Sequence, residues 1–212
     1  AHTMSGKGSI ACTHPLSAGL YGRYSRIAND LIETSDCLLN VGGKLGEIPT
    51  KRFQLIPDSV PLIHLDILDE EIGRTTRTNV ALWGDAQAGL TDLLAELADT
   101  SAKAQADRKD YVAEVPARMN KWKDEAADRL YSKESPINMA RMMTELNRVM
   151  PEDSVLVADG GFAGHWTGFL YDTKKAGRTY IADRGMASIG YGLPGSMGAA
   201  LGNPDVPVVG LT

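Results

Sequence analysis

Two glycine-rich runs are where this chain could do chemistry. The first is Asp159-Gly160-Gly161-Phe162-Ala163-Gly164-His165-Trp166, directly after the apolar stretch Val155-Leu156-Val157-Ala158, which reads as a strand. Glycines just past a strand let the backbone approach a ligand closely. A helix beginning near Phe162 would aim its free N–H groups at an anion such as a phosphate. On local features alone a plain glycine turn, with Asp159 capping the helix, is the commoner use of such residues. The second run, Arg184 to Gly195, contains Gly190-x-Gly192-x-x-Gly195, the form of a dinucleotide fingerprint. That fingerprint needs a strand leading directly into its first glycine and an acid ~20 residues later. Here a loop of small residues precedes Gly190, and the one acid downstream, Asp205, lies in a Pro-rich turn. A nicotinamide dehydrogenase would require a strand running straight into Gly190. Glycines at 192, 195 and 198 suggest instead a helix packed very close to a neighbour.

Isolated polar residues offer less. His165 beside Trp166 reads as a packed surface residue, His14 precedes Pro15 in a loop, and His64 sits mid-strand. Asp66 ends a strand and could bind a ribose hydroxyl, but capping of a helix at Asp69-Glu70-Glu71 is the favoured reading. Cys12 and Cys37 have no second Cys or His at metal-ligand spacing. Both read as reduced thiols of a cytosolic protein, with Cys37 in a buried strand. No Ser-His-Asp, HExxH or P-loop pattern occurs.

The elements that must position these loops alternate in type. Residues 24–34 carry Ile27, Ala28, Leu31 and Ile32 at helical spacing. Strands are expected at 37–41, 61–66 and 80–83, followed by a helix capped by Asp85 with Ala86, Leu90, Leu93, Leu94 and Leu97 on its apolar face. Residues 101–135 are rich in Lys, Asp, Ala and Arg and read as a helical connector that Pro116 breaks in two, with Leu130 and Tyr131 as its anchors. Ser135-Pro136 reads as an N-cap and first helical residue. The helix that follows presents Met139, Ala140, Met143, Leu146 and Met150 as core filler. Strands at 155–158, 179–182 and 206–211 and a small-residue helix at 192–201 complete the pattern. The expected fold class is therefore α/β. Parallel sheets flanked by helices form two Rossmann-like three-layer domains, both incomplete. The expected division is 1–100, a central domain of the nucleotide-binding kind; 101–135, the connector; and 136–212, the start of a second such domain. The net charge of −5 is spread without a basic stripe, which excludes nucleic acid as an expected partner. No apolar run reaches 18 residues, so no membrane span is expected.

The run Gly185-Met186-Ala187-Ser188-Ile189-Gly190-Tyr191-Gly192-Leu193-Pro194 resembles the start of the diphosphate-binding domain of thiamine-diphosphate enzymes of the acetolactate synthase family. So do Asp159-Gly160-Gly161 after its strand and the ending Asn203-Pro204-Asp205 with Val208-Val209-Gly210-Leu211. The first hundred residues resemble that family's central domain. The likeness runs through Thr13-His14-Pro15-Leu16-Ser17, Gly19-Leu20-Tyr21-Gly22, Ala28-Asn29, Ser35-Asp36-Cys37-Leu38-Leu39, His64-Leu65-Asp66-Ile67 and Glu71-Ile72-Gly73. It covers nearly the whole chain apart from the connector.

The resemblance implies thiamine diphosphate and Mg2+ as cofactors. Gly161, Phe162 and Ala163 would cradle the diphosphate, and Gly185, Met186, Ala187, Ser188 and Ile189 would line the thiamine. Ile189 would sit under the cofactor and hold its two rings bent. No catalytic or metal-binding residue is expected in this chain. The family's activating glutamate belongs to a domain not represented here, and its metal loop, Gly-Asp-Gly, would follow residue 212. The parent activity implied is decarboxylation of a 2-keto acid with transfer of the acyl carbanion, with this chain alone inactive. A cytoplasmic homo-oligomer is implied by analogy, with a small 2-keto acid as substrate. Departures bear on these expectations. Acetolactate synthases carry Gln and His where Phe162 and Ala163 stand, so contacts there must come from backbone N–H groups. FAD-binding members usually have a second acid where Leu68 stands and tend to have Arg where Lys44 stands. Both departures argue against FAD, although Gly19 to Gly22 and Gly42-Gly43 are suitably placed. A non-catalytic FAD or adenine-nucleotide module is the alternative reading of residues 1–100.

Overall fold

A strand whose residues are all apolar can sit only where both of its faces are covered. Val155–Ala158, buried at all four positions, does so in the middle of a sheet. In the computed structural model, which describes residues 1–212 apart from the side chain of Ser101, the chain divides into two compact units. One comprises residues 21–23 and 28–114; the other comprises 1–20, 24–27 and 115–212.

The amino-side unit is built on a parallel three-stranded sheet. Its strands are β1 (Leu38–Val41), β2 (Leu62–Asp66) and β3 (Val80–Trp83), ordered β1-β2-β3 with Leu38 opposite Leu62 and Ile63 opposite Val80. β2 is the covered strand, with only Ile63 half-exposed; β1 alternates and β3 is largely open. Helix α1 (Ala28–Glu33) buries Ala28, Leu31 and Ile32, as its spacing predicts. Helix α2 (Ala86–Glu96) is capped by Asp85, whose carboxylate accepts from the Ala88 amide at 3.0 Å. The expected apolar face of α2 needs correction in part: Ala86, Leu90 and Leu93 are half-buried, whereas Leu94 and Leu97 stand in solvent. Gly89 meets the sheet instead, where a Cβ would lie 3.0 Å from both δ carbons of Leu65.

Cys37 also departs from expectation. It lies outside β1 and is exposed, because β1 is an edge strand and its apolar composition does not give it a second cover. Asp66 does not cap a helix. Its Oδ1 accepts from the amide of Leu68 at 3.0 Å, an Asx turn that closes the strand end, and the short 3-10 turn Asp69–Glu71 starts without a side-chain cap.

The carboxy-side unit has its own parallel sheet: β4 (Val155–Ala158) at the centre, β5 (Tyr180–Ala182) on one side and β6 (Val208–Leu211) on the other. Helix α7 (Gly161–Leu170) connects β4 to β5, and α8 (Gly192–Gly202) connects β5 to β6. The core gathers Met150, Leu156, Ala158, Tyr171 and Tyr180. A second cluster, Leu130, Ala140, Met143 and Leu170, joins the helices.

The connector is helical: α3 (Ser101–Asp107), α4 (Lys109–Glu125) and α5 (Ala127–Leu130). Pro116 lies inside α4 and does not break it. Its missing N–H removes one bond and strains the preceding turn, but the neighbouring Val115 is 4% exposed and anchors the axis at that point. The interruptions fall at Arg108 and Ala126 instead. Leu130 anchors as expected, whereas Tyr131 is exposed. Helix α6 (Met139–Val149) begins later than Ser135-Pro136 implies, with Asn138 as the cap that accepts from the Ala140 amide. The Ser135-Pro136 bond is cis, and both residues precede the helix. No helix among the described residues is long and apolar enough to cross a membrane.

Candidate functional site

Because β4, β5 and β6 run parallel, their carboxyl ends line up: Ala158 stands opposite Ala182 on one side and Leu211 on the other. The loops that leave them therefore start from one edge of the sheet. The strand order places β4 between its two successors, so consecutive connections leave on opposite sides. The crevice at such a reversal is where open α/β sheets bind ligands.

Both glycine runs reach this edge. Gly160 is the N-cap of α7, and Gly161 holds φ +62°, with nothing within 4 Å of where a Cβ would stand. The left-handed turn swings the chain into the helix and leaves the first-turn amides of Gly161, Phe162 and Ala163 without intrahelical acceptors. The second run folds back over this turn. A Cβ on Gly160 would lie 3.2 Å from the Ala187 carbonyl oxygen and 3.3 Å from Ile189 Cγ1. Close approach is thus the reason for glycine at 160, and backbone freedom is the reason at 161. Gly185, Ala187 and Gly190 also take positive φ, of 98°, 52° and 101°; for Ala187 that is a strained conformation held by its surroundings.

Asp159 organises the site in a way the sequence reading missed. Local sequence suggests a cap for the helix that begins beside it, α7; instead its carboxylate faces the start of α8. One oxygen accepts from its neighbour Gly160 at 2.6 Å, and both oxygens lie 3.0 Å from the Gly190 amide. The amides of Tyr191 and Gly192 also point to it. Burial works to raise the Asp159 pKa, but these backbone donors outweigh it and hold the group below the usual carboxylate range. Gly192 packs against the same side chain: a Cβ there would fall 3.0 Å from Asp159 Cβ and 2.7 Å from Thr212 Cγ2. The available signal was an acid at a strand end combined with Gly190-x-Gly192, but the 31-residue separation hides it.

Further support comes from Tyr180. Its hydroxyl meets Thr167 Oγ1 at 2.9 Å and the Gly164 carbonyl at 3.4 Å, fastening α7 to β5. Burial pushes this hydroxyl up to about 12, so it stays protonated. The N-terminal segment braces the other end of α7, where Lys7 Nζ donates to the Gly168 carbonyl at 2.9 Å. His165 is not part of the anion-facing turn. Its ring lies between Tyr24, at 5.1 Å between centroids, and Phe162, at 6.1 Å.

The rim of the site is apolar and open: Phe162, Met186 and Ile189 are 78%, 93% and 83% exposed. Large apolar side chains this exposed, grouped on one loop pair, mark a surface that a ligand or partner covers. Free amides in a glycine turn beside an apolar loop suit a molecule with an anionic end and a flat organic body, and thiamine diphosphate has that form. No group of three or more His, Cys, Asp or Glu among the described residues could hold a metal ion. The loop preceding Gly190 runs from Asp183 to Ile189, and β5 ends at Ala182, which excludes the nicotinamide fingerprint.

Fold and loops therefore define a parallel α/β protein whose two glycine-rich loops meet at a strand-order reversal. Comparison with known proteins agrees. The family described as "Thiamine pyrophosphate enzyme, central domain" matches residues 1–93, and "Thiamine pyrophosphate enzyme, C-terminal TPP binding domain" matches residues 159–212. The chain belongs to the thiamine pyrophosphate enzymes, with the acetolactate synthases as relatives. The probable acetolactate synthase large subunit of Methanocaldococcus jannaschii is 27% identical over 217 residues, covering 99% of this chain and 35% of the relative. The sulfoacetaldehyde acetyltransferase of Roseovarius nubinhibens is 27% identical over 219 residues, covering 94% and 36%. The acetolactate synthase isozyme 1 large subunit of Escherichia coli is 25% identical over 209 residues, covering 98% and 35%. The chain thus spans about a third of the length of these relatives.

Proposed function

We propose that this chain supplies the diphosphate-and-thiamine half of a cofactor site in a thiamine-diphosphate-dependent carboligase or decarboxylase acting on a 2-keto acid. The observation that carries this reading is the contact of Gly160 with Ala187 and Ile189 at the β4/β6 reversal. It brings the turn Gly161, Phe162 and Ala163 and the loop Gly185, Met186, Ala187, Ser188 and Ile189 to one place. The first-turn amides would hold the diphosphate by N–H donation, as an anion at a helix N-terminus is held. Phe162 offers no polar side chain, so this end of the site works through backbone alone. Ile189, exposed on the loop that Asp159 clasps, would lie under the organic rings and fix their relative orientation. When bound, thiamine diphosphate supplies the electron sink for decarboxylation; the chain positions it and excludes water on one face. Mg2+ accompanies the cofactor in this reading, with no donor set assigned among these residues. The parent protein is read as a cytoplasmic homo-oligomer, and the chain by itself is read as scaffold without activity. The division into 1–100, 101–135 and 136–212 is read in the same terms.

The test is amide NMR of the 212-residue chain titrated with thiamine diphosphate, with thiamine and inorganic pyrophosphate as separate arms. Perturbation centred on residues 160–163 and 185–190, reproduced in part by each fragment at its own end, is expected. Shifts confined to residues 28–114, or none at millimolar cofactor, would overturn it.

A further inference from the structure

Aromatic residues are scarce in this chain, at 6%, yet they are not evenly used. Two of its three tryptophans and two of its three phenylalanines line one cavity in the carboxy-side unit: Trp122, Trp166, Phe162 and Phe169, with Tyr24 beside them. Towards its carboxyl end the connector carries Trp122, Ala126 and Leu130 at four-residue spacing, an apolar stripe along the end of α4 and α5. That stripe packs with α6 and α7 around the cavity, where Leu130, Ala140 and Leu170 are the buried lining residues. Trp122 and Phe169 meet edge to face at 5.7 Å, and Tyr24 and Phe169 are tilted at 6.3 Å. These rings hold one another as walls, so the space between them does not close. The volume is about 540 Å3, within the roughly 300–1,000 Å3 of small-molecule sites.

Charge at the rim selects the ligand. Glu125 and Arg129 both line the opening, one helical turn apart. Glu125 lies 3.8 Å from Lys121, whereas Arg129 makes no ion pair among the described residues. Outside the cavity lining, the Arg26 guanidinium stands 5.2 Å from the Trp122 ring and is itself tied to Asp172 at 3.0 Å. A cation would meet the guanidinium of Arg129, which no ion pair compensates. An anion would pair with it.

We propose that this cavity binds a small planar aromatic molecule bearing one anionic group, its rings between Trp122, Trp166 and Phe169 and its anion on Arg129. Phe162 belongs to both the cavity and the turn that starts α7, so occupancy would be sensed at the mouth of the candidate cofactor site.

Calorimetric titration of the full chain with 2-naphthoate, 2-naphthylmethylammonium and 2-naphthalenemethanol tests the proposal. Saturable binding of 2-naphthoate with a Kd on the order of 0.1 mM is expected, at least fivefold tighter than either other probe. Arg129→Gln, at an exposed rim position, should weaken 2-naphthoate about tenfold and leave 2-naphthalenemethanol unchanged. Tryptophan indole cross-peaks give a second readout. Trp83→Phe identifies the signal of the residue in the other unit, and the two remaining signals should move with ligand. No saturable binding, preference for the ammonium probe, equal binding of the neutral probe, or an unchanged 2-naphthoate affinity in Arg129→Gln would each overturn it.

Discussion

Lys7 gives the sharpest quantitative consequence of this packing. It is 4% exposed, donates to the Gly168 carbonyl in the last turn of α7, and lies 5.5 Å from the centre of the Tyr180 ring. Burial lowers its pKa from 10.5 to about 8, against smaller favourable interactions with Cys12 and Asp172. Below pH 8 the lysine is charged in both the folded and the unfolded chain. Between about 8 and 10.5 the unfolded chain keeps a proton that the folded chain has released, so stability rises with pH across that window. At about 1.4 kcal/mol per pH unit the full gain is about 3 kcal/mol. The buried tyrosines set the upper limit of a clean measurement. Tyr180 is pushed up to about 12 and stays protonated in the folded state, which makes stability fall again above pH 10. Urea unfolding followed by tryptophan fluorescence should therefore show a rise of about 2 kcal/mol from pH 8 to 10. Lys7→Met should flatten it. At pH 7 that variant is expected near neutrality, because relief of the buried charge is offset by an unsatisfied Gly168 carbonyl, worth about 1–3 kcal/mol. The slope is thus the discriminating quantity. Parallel pH profiles for the wild type and Lys7→Met would refute the assignment.

Gly161→Ala meets no atom within 4 Å but must hold φ +62°. About 1–2 kcal/mol of stability should be lost in urea unfolding, with thiamine diphosphate perturbation at residues 160–163 abolished or displaced. Asp159→Asn removes an acceptor from the Gly190, Tyr191 and Gly192 amides. Their hydrogen exchange should accelerate at least tenfold while the β4 amides keep their protection. In the wild type that protection should survive as pH falls through 4 and fade only below, since a depressed carboxylate pKa keeps its contribution until pH drops through the folded value. Met143→Ala, at a position with 0% exposure, should cost about 2–5 kcal/mol, read as a lower urea midpoint with unchanged slope.

The sequence was most legible where one local property decides the outcome. Val155–Ala158 is a strand because four apolar residues, two of them β-branched valines, lie between turn residues, and its bounds match the expectation. Asp85 caps α2 because the cap is three residues from its donor. Legibility failed where a tertiary neighbour decides. Cys37 is exposed because it precedes a strand that lies at an edge. Leu94 and Leu97 are exposed, while Gly89 takes the close approach. Pro116 is tolerated because Val115 is anchored. The glycine turn at 160–161 was visible as a turn; that the 185–189 loop lies against it, and that Asp159 serves α8, required the fold.

The two sheets also explain why one unit is the better candidate for a bound cofactor. In the amino-side unit the order β1-β2-β3 follows the sequence, so successive connections leave in the same sense and no reversal opens a crevice. Its strand-end acid, Asp66, has one oxygen engaged in an Asx turn with Leu68, which leaves less of it to hold a ribose hydroxyl of a flavin or adenine nucleotide. In the carboxy-side unit the order β5-β4-β6 creates the reversal, and every feature beside it faces the same way. Gly161 frees the first-turn amides, Gly160 admits the loop, and Asp159 fixes that loop by its backbone. The carboxylate cannot serve as an acid or base while three or more amides hold it ionised. Its part is positioning, which is why a chain with so few polar side chains at the site can still present a shaped surface to a cofactor.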